Sequence, residues 1–296
     1  MRVFPIIIVL AICLLTPASL RAWGFAAHRF IVEEAISRLP GEIRPFYEKN
    51  RVFLVEYSIV PDLLRTLGVP DEPPRHFVDL DAFGEYPFDA LPRDYDAAVE
   101  KFGREKVDGN GLLPWRAEEI YGRLVQAFER AGRRETYSID DIKLMSAVLA
   151  HYIADAHVPF HAIVNYDGQL SGQRGIHSRF ESQLFERYRA SLTLPRVTMP
   201  PVRDPRGFAF DTLLKSFTYT APLLAADRRA ADGLAEYDDV YFDRWFKDAG
   251  PVLEQRLADS IAATAAVFTG AWERAGRPAV PLELARRPAK IQKDGR

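Results

Sequence analysis

The chain carries a single cysteine, Cys13, among its 296 residues, and it falls in the apolar opening segment. Beyond that segment there is no thiol, so a disulfide framework and thiolate metal ligands are both excluded there. Charge of one sign is lacking as well: 39 basic residues face 41 acidic ones, for a net charge of −2. This balance gives no electrostatic basis for a protein that coats nucleic acid, while leaving room for a small basic patch inside a site. Internal repeats and low-complexity blocks are absent. So are several catalytic signatures. Ser171 sits in "GQLSG", whose spacing is wrong for a G-x-S-x-G nucleophile elbow, and there is no glycine-rich dinucleotide fingerprint and no Walker loop. Histidines and carboxylates remain as the groups able to carry chemistry.

The opening residues, "MRVFPIIIVLAICLLTPASLRA", follow an export pattern: Arg2 as a short positive region, an apolar run from Val3 to Leu15, and Ala22 at a small-residue cut. The run is too short for a comfortable membrane span; a retained N-terminal anchor is the alternative reading. Residues 1–22 are therefore expected to be a signal peptide, the mature protein to be periplasmic or secreted, and no transmembrane segment to remain. Cleavage would make Trp23 the new N-terminus, with an α-amine that titrates near neutrality and is a possible metal ligand.

The mature sequence reads as helices joined by loops, with little strand alternation, and predicts one all-α domain over residues 23–275. Apolar spacing predicts a helix over 26–40. "PWRAEEIYGRLVQAFERAG" opens on Pro114 and stops at Gly132. The next helix opens on Ser138, with Asp141 three residues on as an approximate capping box. Residues 176–192 read as an amphipathic helix, and 210–235 and 252–276 supply further helical segments. The connection from Gly68 to Val107 exceeds ordinary loop length and suggests a functional excursion. Residues 276–296, rich in proline, arginine and lysine, read as a disordered tail.

Half of the six histidines crowd into "HYIADAHVPFH", residues 151–161. His151 and Asp155, four apart, share a helix face and form a pincer for a divalent ion. His161 would diverge from them in an unbroken helix, but Pro159 cannot donate to the Asp155 carbonyl and tends to end the helix there. The break would turn His161 back toward the same cavity. A second pincer, His177 and Glu181, follows in "GIHSRFE", where Gly175 could give the helix start room to approach. His28 lies five residues after Trp23, and His76 fourteen after Asp62. Taken singly, each position has an ordinary explanation: a surface hydrogen bond, a helix cap at Asp62, a solvated charge at Arg65, a satisfied histidine. His157 stands outside the set, as a surface residue or one behind the ligands. Two pincers and a histidine beside a new N-terminus are harder to explain together.

These residues resemble the zinc-dependent phospholipase C / P1-type nuclease superfamily, exported all-helical hydrolases with a trinuclear zinc site. The family order is an N-terminal Trp, a nearby His, an Asp, a His followed by Phe, H-x3-D-x5-H and H-x3-[DE]. Trp23, His28, Asp62, His76, His151, Asp155, His161, His177 and Glu181 fill it in sequence. The resemblance implies three zinc ions: one on Asp62, His76, His151 and Asp155; one on His161, His177 and Glu181; one on the amine and carbonyl of Trp23, His28 and the other oxygen of Asp155. It implies phosphodiester hydrolysis by a metal-bridged hydroxide, with Asp62 orienting or deprotonating the attacking water and Arg65 contacting phosphate.

Two branches of that superfamily are mixed here. The short Trp23–His28 interval and Asp62-x-x-Arg65 fit the nucleases. Glu181, the short His161–His177 interval and the lack of mature cysteines are similar to the bacterial phospholipases C, which makes a phospholipid headgroup the expected substrate. Phe77 and Tyr166 could stack a base or pack against a headgroup cation, or simply pack near the site. Alternatives are a single-strand nuclease, with nucleic acid as its substrate, and a non-catalytic exported protein with structural zinc.

Overall fold

Apolar residues at helical spacing set the architecture of the computed structural model, which describes residues 24–284. In chain order the helices are α1 (Phe25–Ile36), α2 (Arg44–Lys49), α3 (Arg51–Tyr57), α4 (Val60–Thr66), α5 (Tyr95–Phe102), α6 (Arg104–Gly109) and α7 (Leu113–Gly132). They continue with α8 (Ser138–Ala156), α9 (Ile176–Ser178), α10 (Phe185–Tyr188), α11 (Pro205–Phe217), α12 (Thr220–Ala231) and α13 (Asp239–Arg274). The described residues form a single all-helical domain without strands, and no helix among them is long and apolar enough to cross a membrane.

Helix α7 is amphipathic: Leu113, Ala117, Ile120, Tyr121, Leu124 and Phe128 are buried along one stripe, while Arg123 and Glu129 face outward. Its partner α8 is different. From Ser146 to Ala156 every residue is buried, so α8 runs through the middle of the domain and takes its two chemical side chains, His151 and Asp155, with it. The 36-residue α13 packs against α1, α7, α8 and α12. Its second half is rich in small residues, which lets neighbours come close; a Cβ on Gly270 would meet the Val202 carbonyl oxygen at 1.9 Å.

Several expected boundaries shift. α1 ends at Ile36 rather than at Pro40. Ser138 is not a cap: Tyr137, with a left-handed φ of 67°, precedes α8, and the Ser138 hydroxyl donates to the Glu135 carbonyl at 2.7 Å. α13 starts well before residue 252 and runs through Pro251, because Asp238 caps it at the Tyr241 amide (3.0 Å) and Tyr241, Phe242 and Trp245 are buried. The long connection after Gly68 is not structureless: it holds 3₁₀ turns at Pro73–His76 and Leu80–Phe83, then α5 and α6. Residues 1–23, including the expected signal peptide and Trp23, lie outside the described residues, as do 285–296 of the expected tail. The tail's first part, 276–284, lies against the domain: Trp272 Nε1 donates to the Pro278 carbonyl at 2.9 Å, and Lys49 pairs with Glu283.

Candidate metal centre

Four elements, α8 among them, deliver the first candidate ligands. His28 comes from α1, Asp62 and Arg65 from α4, His76 from the 3₁₀ turn Pro73–His76, and His151 and Asp155 from α8. The end of α8 behaves as Pro159 requires. The His157 and Val158 amides still bond to Ala154 and Asp155 carbonyls at 2.9 Å each, Val158 is extended, and Pro159 opens a short 3₁₀ turn ending at His161. The segment after His76 then runs beside this turn, its Val78 amide donating to the His161 carbonyl at 3.0 Å.

The ligand types expected from the sequence come together in three buried groups: His28 with Asp62 and His151; His76 with His151 and Asp155; and His161 with His177 and Glu181. Asp155 joins the groups. Its Oδ2 lies 2.9 Å from His76 Nδ1 and 3.3 Å from His151 Nε2, and its Oδ1 lies 3.4 Å from His28 Nε2 and 3.9 Å from His161 Nδ1. Asp62 Oδ1 stands 3.9 Å from His76 Nδ1 and 4.0 Å from His151 Nε2, and pairs with Arg65 at 2.9 Å. His177 Nε2 is 3.0 Å from Glu181 Oε2, with His161 Nε2 3.9 Å from the same oxygen. His28 is thus within reach of Asp62 as well as Asp155, and its ring stacks on His151 with centroids 4.0 Å apart.

Backbone carbonyls fix which ring nitrogen faces the centre. His151 Nδ1–H donates to the Ser58 carbonyl at 2.8 Å, and His161 Nδ1–H to the His76 carbonyl at 2.6 Å. In each ring this leaves Nε2 with a lone pair for a cation. His76 is turned the other way: Nδ1 faces Asp155, and Nε2 lies 3.6 Å from Glu72 Oε1. Glu72 is buried, receives the Tyr152 hydroxyl, and pairs with Arg75 at 2.8 Å.

Electrostatics suit a cation. Burial holds the imidazoles of His28 and His161 below the usual histidine range, and burial with the Arg65 charge pushes His177 down to about 4. These rings are neutral at pH 7 and have lone pairs to give. Burial, with Asp62 nearby, holds the Glu181 carboxyl well above the usual range, a cost that a cation would remove. Asp155 is also fully buried, yet the histidines that face it, His151 first, outweigh desolvation and hold its carboxyl well below the usual range. For His76, burial is outweighed by Asp155 and Glu72, which raise it to about 9.

Unpartnered polar atoms converge on the centre. Asp62 Oδ2, Asp155 Oδ1, His177 Nδ1 and Glu181 Oε1 are buried without a hydrogen-bond partner, and His28 Nε2 has nothing nearer than Asp155 Oδ1 at 3.4 Å. So many buried polar atoms left together are costly unless something positive lies among them. Imidazole nitrogen and carboxylate oxygen, with no thiolate among the described residues, form a donor set that suits zinc.

Other residues took different places. His157 is buried, not at the surface: its Nδ1–H donates to the Ile153 carbonyl at 2.7 Å, and its own carbonyl receives the buried Arg256 at 2.9 Å. Tyr166 meets His177 edge to face at 6.1 Å. Phe77 packs under Gly111, where a Cβ would lie 2.8 Å from its ring. Trp23 lies outside the described residues, but Gly24 is buried against Ser182, whose Oγ would be 2.5 Å from a Cβ there, so α1 starts beside Glu181. Glu72 was not anticipated. Its spacing to His76 matches that of His151 to Asp155, but Pro73 and Pro74 between them hide the helical turn.

A scan against protein-family models matches none, and a search of curated proteins finds no significant match.

Proposed function

We propose that this protein is an exported zinc-dependent phosphodiesterase of the phospholipase C / P1-type kind, acting on phospholipid headgroups. The observation that carries the reading is the gathering of His28, Asp62, His76, His151, Asp155, His161, His177 and Glu181 into three adjoining buried groups. These are the positions, in the order, at which the resemblance expects ligands. The expected groups would hold three zinc ions, with the α-amine of Trp23 completing the one on His28 and Asp155 once residues 1–22 are removed. Bound zinc supplies Lewis acidity, bringing the pKa of water toward neutrality and offsetting charge that grows on phosphoryl oxygens.

The chain's own residues do the rest. Asp62 is buried and held by Arg65 at 2.9 Å, so its carboxylate is oriented to take a proton from the attacking water. Arg65 is 18% exposed, the position of a guanidinium that reaches from the centre to a phosphate arriving from solvent. Burial of the imidazoles excludes bulk water and strengthens each charge interaction. Glu181, together with the short interval between His161 and His177, favours phospholipid over nucleic acid.

The test incubates the purified mature protein and zinc with phosphatidylcholine vesicles, single-stranded DNA and RNA in parallel. Chelator-sensitive release of diacylglycerol and phosphocholine is expected. Cleavage of the nucleic acids alone would move the substrate to the nuclease branch. A zinc-replete protein inert on all three would point to structural zinc.

A further inference from the structure

His177 and Glu181 sit on an unusual stretch of helix. α9 passes at Arg179 into a π-helical turn, Arg179–Leu184, before α10 resumes. Four residues overshoot one turn of an α-helix, which holds 3.6. A wider i→i+5 turn brings residues four apart closer to eclipsed, and here His177 Nε2 and Glu181 Oε2 are 3.0 Å apart. Such turns are rare and need support from their surroundings.

The support is on the opposite face. Arg179, between the two ligands in sequence, is 3% exposed and engages every side of its guanidinium. It donates to the Arg174 carbonyl at 2.7 Å, the Gln173 carbonyl at 3.3 Å, Asp227 Oδ1 at 2.9 Å and the Tyr241 hydroxyl at 3.0 Å. The Tyr237 ring covers it at 3.8 Å. Asp227, from α12, is held in turn by the Tyr241 hydroxyl and by Gln173 Nε2 at 2.6 Å. Gly175, with φ 83°, makes the room: a Cβ there would lie 3.1 Å from Arg179 Nη1. The space at this glycine is thus taken by the guanidinium. The helix start, α12 and α13 are joined through one side chain that points away from the metal centre.

We propose that Arg179, braced by Asp227 and Tyr241, is a positioning residue that holds the wide turn and so sets the His161–His177–Glu181 group for its cation. The proposal rests on the cation-binding reading above. It predicts a selective effect, because Asp62, His76, His151 and Asp155 are carried by α4, the 3₁₀ turn at Pro73–His76 and α8 rather than by this turn.

The test compares the wild-type protein with Arg179→Lys and Tyr241→Phe. Each is measured for bound zinc by elemental analysis at limiting zinc and for visible absorption after replacement by Co²⁺, with Tm recorded on the chelated protein. Lysine keeps the charge but lacks the fork that reaches four acceptors. Arg179→Lys is expected to lose about one zinc equivalent, with a cobalt spectrum depleted by one site and the rest unchanged. Tyr241→Phe, which removes only a hydroxyl, is expected to hold its weakest ion about 10-fold less tightly, and decides the matter if Arg179→Lys does not fold. A full, wild-type-affinity complement with only a lowered Tm would overturn the proposal, as would weakening spread evenly over all ions. A wild-type protein that binds no zinc would instead overturn the functional reading beneath it.

Discussion

Glu72 stands directly behind His76: its Oε1 lies 3.6 Å from His76 Nε2, while Nδ1 of the same ring lies 2.9 Å from Asp155. The ring is held between two buried carboxylates, one at the centre and one outside it. Outer carboxylates of this sort orient a ligand imidazole and raise its basicity. Glu72→Gln should therefore leave the fold intact and weaken zinc binding about 10- to 100-fold, read by competition with a chelator of known affinity. Tyr152→Phe, which removes one partner of Glu72, should give a smaller loss of the same kind. Unchanged affinity in both variants would reduce Glu72 to a packing role.

Asp155 offers one oxygen to His76 and His151 and the other to His28. Its loss should not be confined to one ion. Asp155→Asn is expected to lose more than one zinc equivalent by elemental analysis; a variant that retains its full complement would contradict the shared-ligand assignment.

Arg65 touches the centre through Asp62 yet keeps part of its surface in water. Replacing it with alanine should remove a charge-assisted contact worth about 1.5–3 kcal/mol, or roughly 10- to 100-fold in kcat/KM, at unchanged zinc content. Steady-state kinetics on the best substrate of the panel, paired with metal analysis, checks both halves.

Asp79 gives a pH dependence separate from the ligands. Burial, with Asp81 adding like charge, pushes its carboxyl up to about 7, and its Oδ1 has no hydrogen-bond partner. A folded-state pKa above the unfolded value means that ionisation costs stability as pH rises from the ordinary carboxylate range through about 7. Asp79→Asn should thus raise Tm by a few degrees at pH 8, for about 1–3 kcal/mol, and change it little at pH 4. Equal effects at both values would show that the carboxyl is not held protonated.

Much of this was legible in the sequence because the strongest signals are local. The stripe of α7, the His151–Asp155 pincer and the break at Pro159 depend on spacing within a few residues, and they stand where that spacing puts them. What was hidden depends on partners far along the chain. The first half of α13 carries Pro251 and many charged residues, and becomes helical because Tyr241, Phe242 and Trp245 find the core. The burial of His157 requires Arg256, ninety-nine residues on. The wide turn at Arg179 requires Asp227 and Tyr241, which no local pattern announces. Glu72 was concealed by two prolines that make a 3₁₀ turn where a loop was expected.

The ligands reach the centre from α1, α4, two 3₁₀ turns, α8 and the helix after Gly175. Only the His151–Asp155 and His177–Glu181 pairs are neighbours before the chain collapses; every other approach exists only in the assembled domain. Ions held this way would grip the native chain and have little purchase on the denatured one. By mass action an ion at a hundred times its Kd adds about 2.7 kcal/mol, so the metal inventory and the cohesion of the whole domain should rise and fall together.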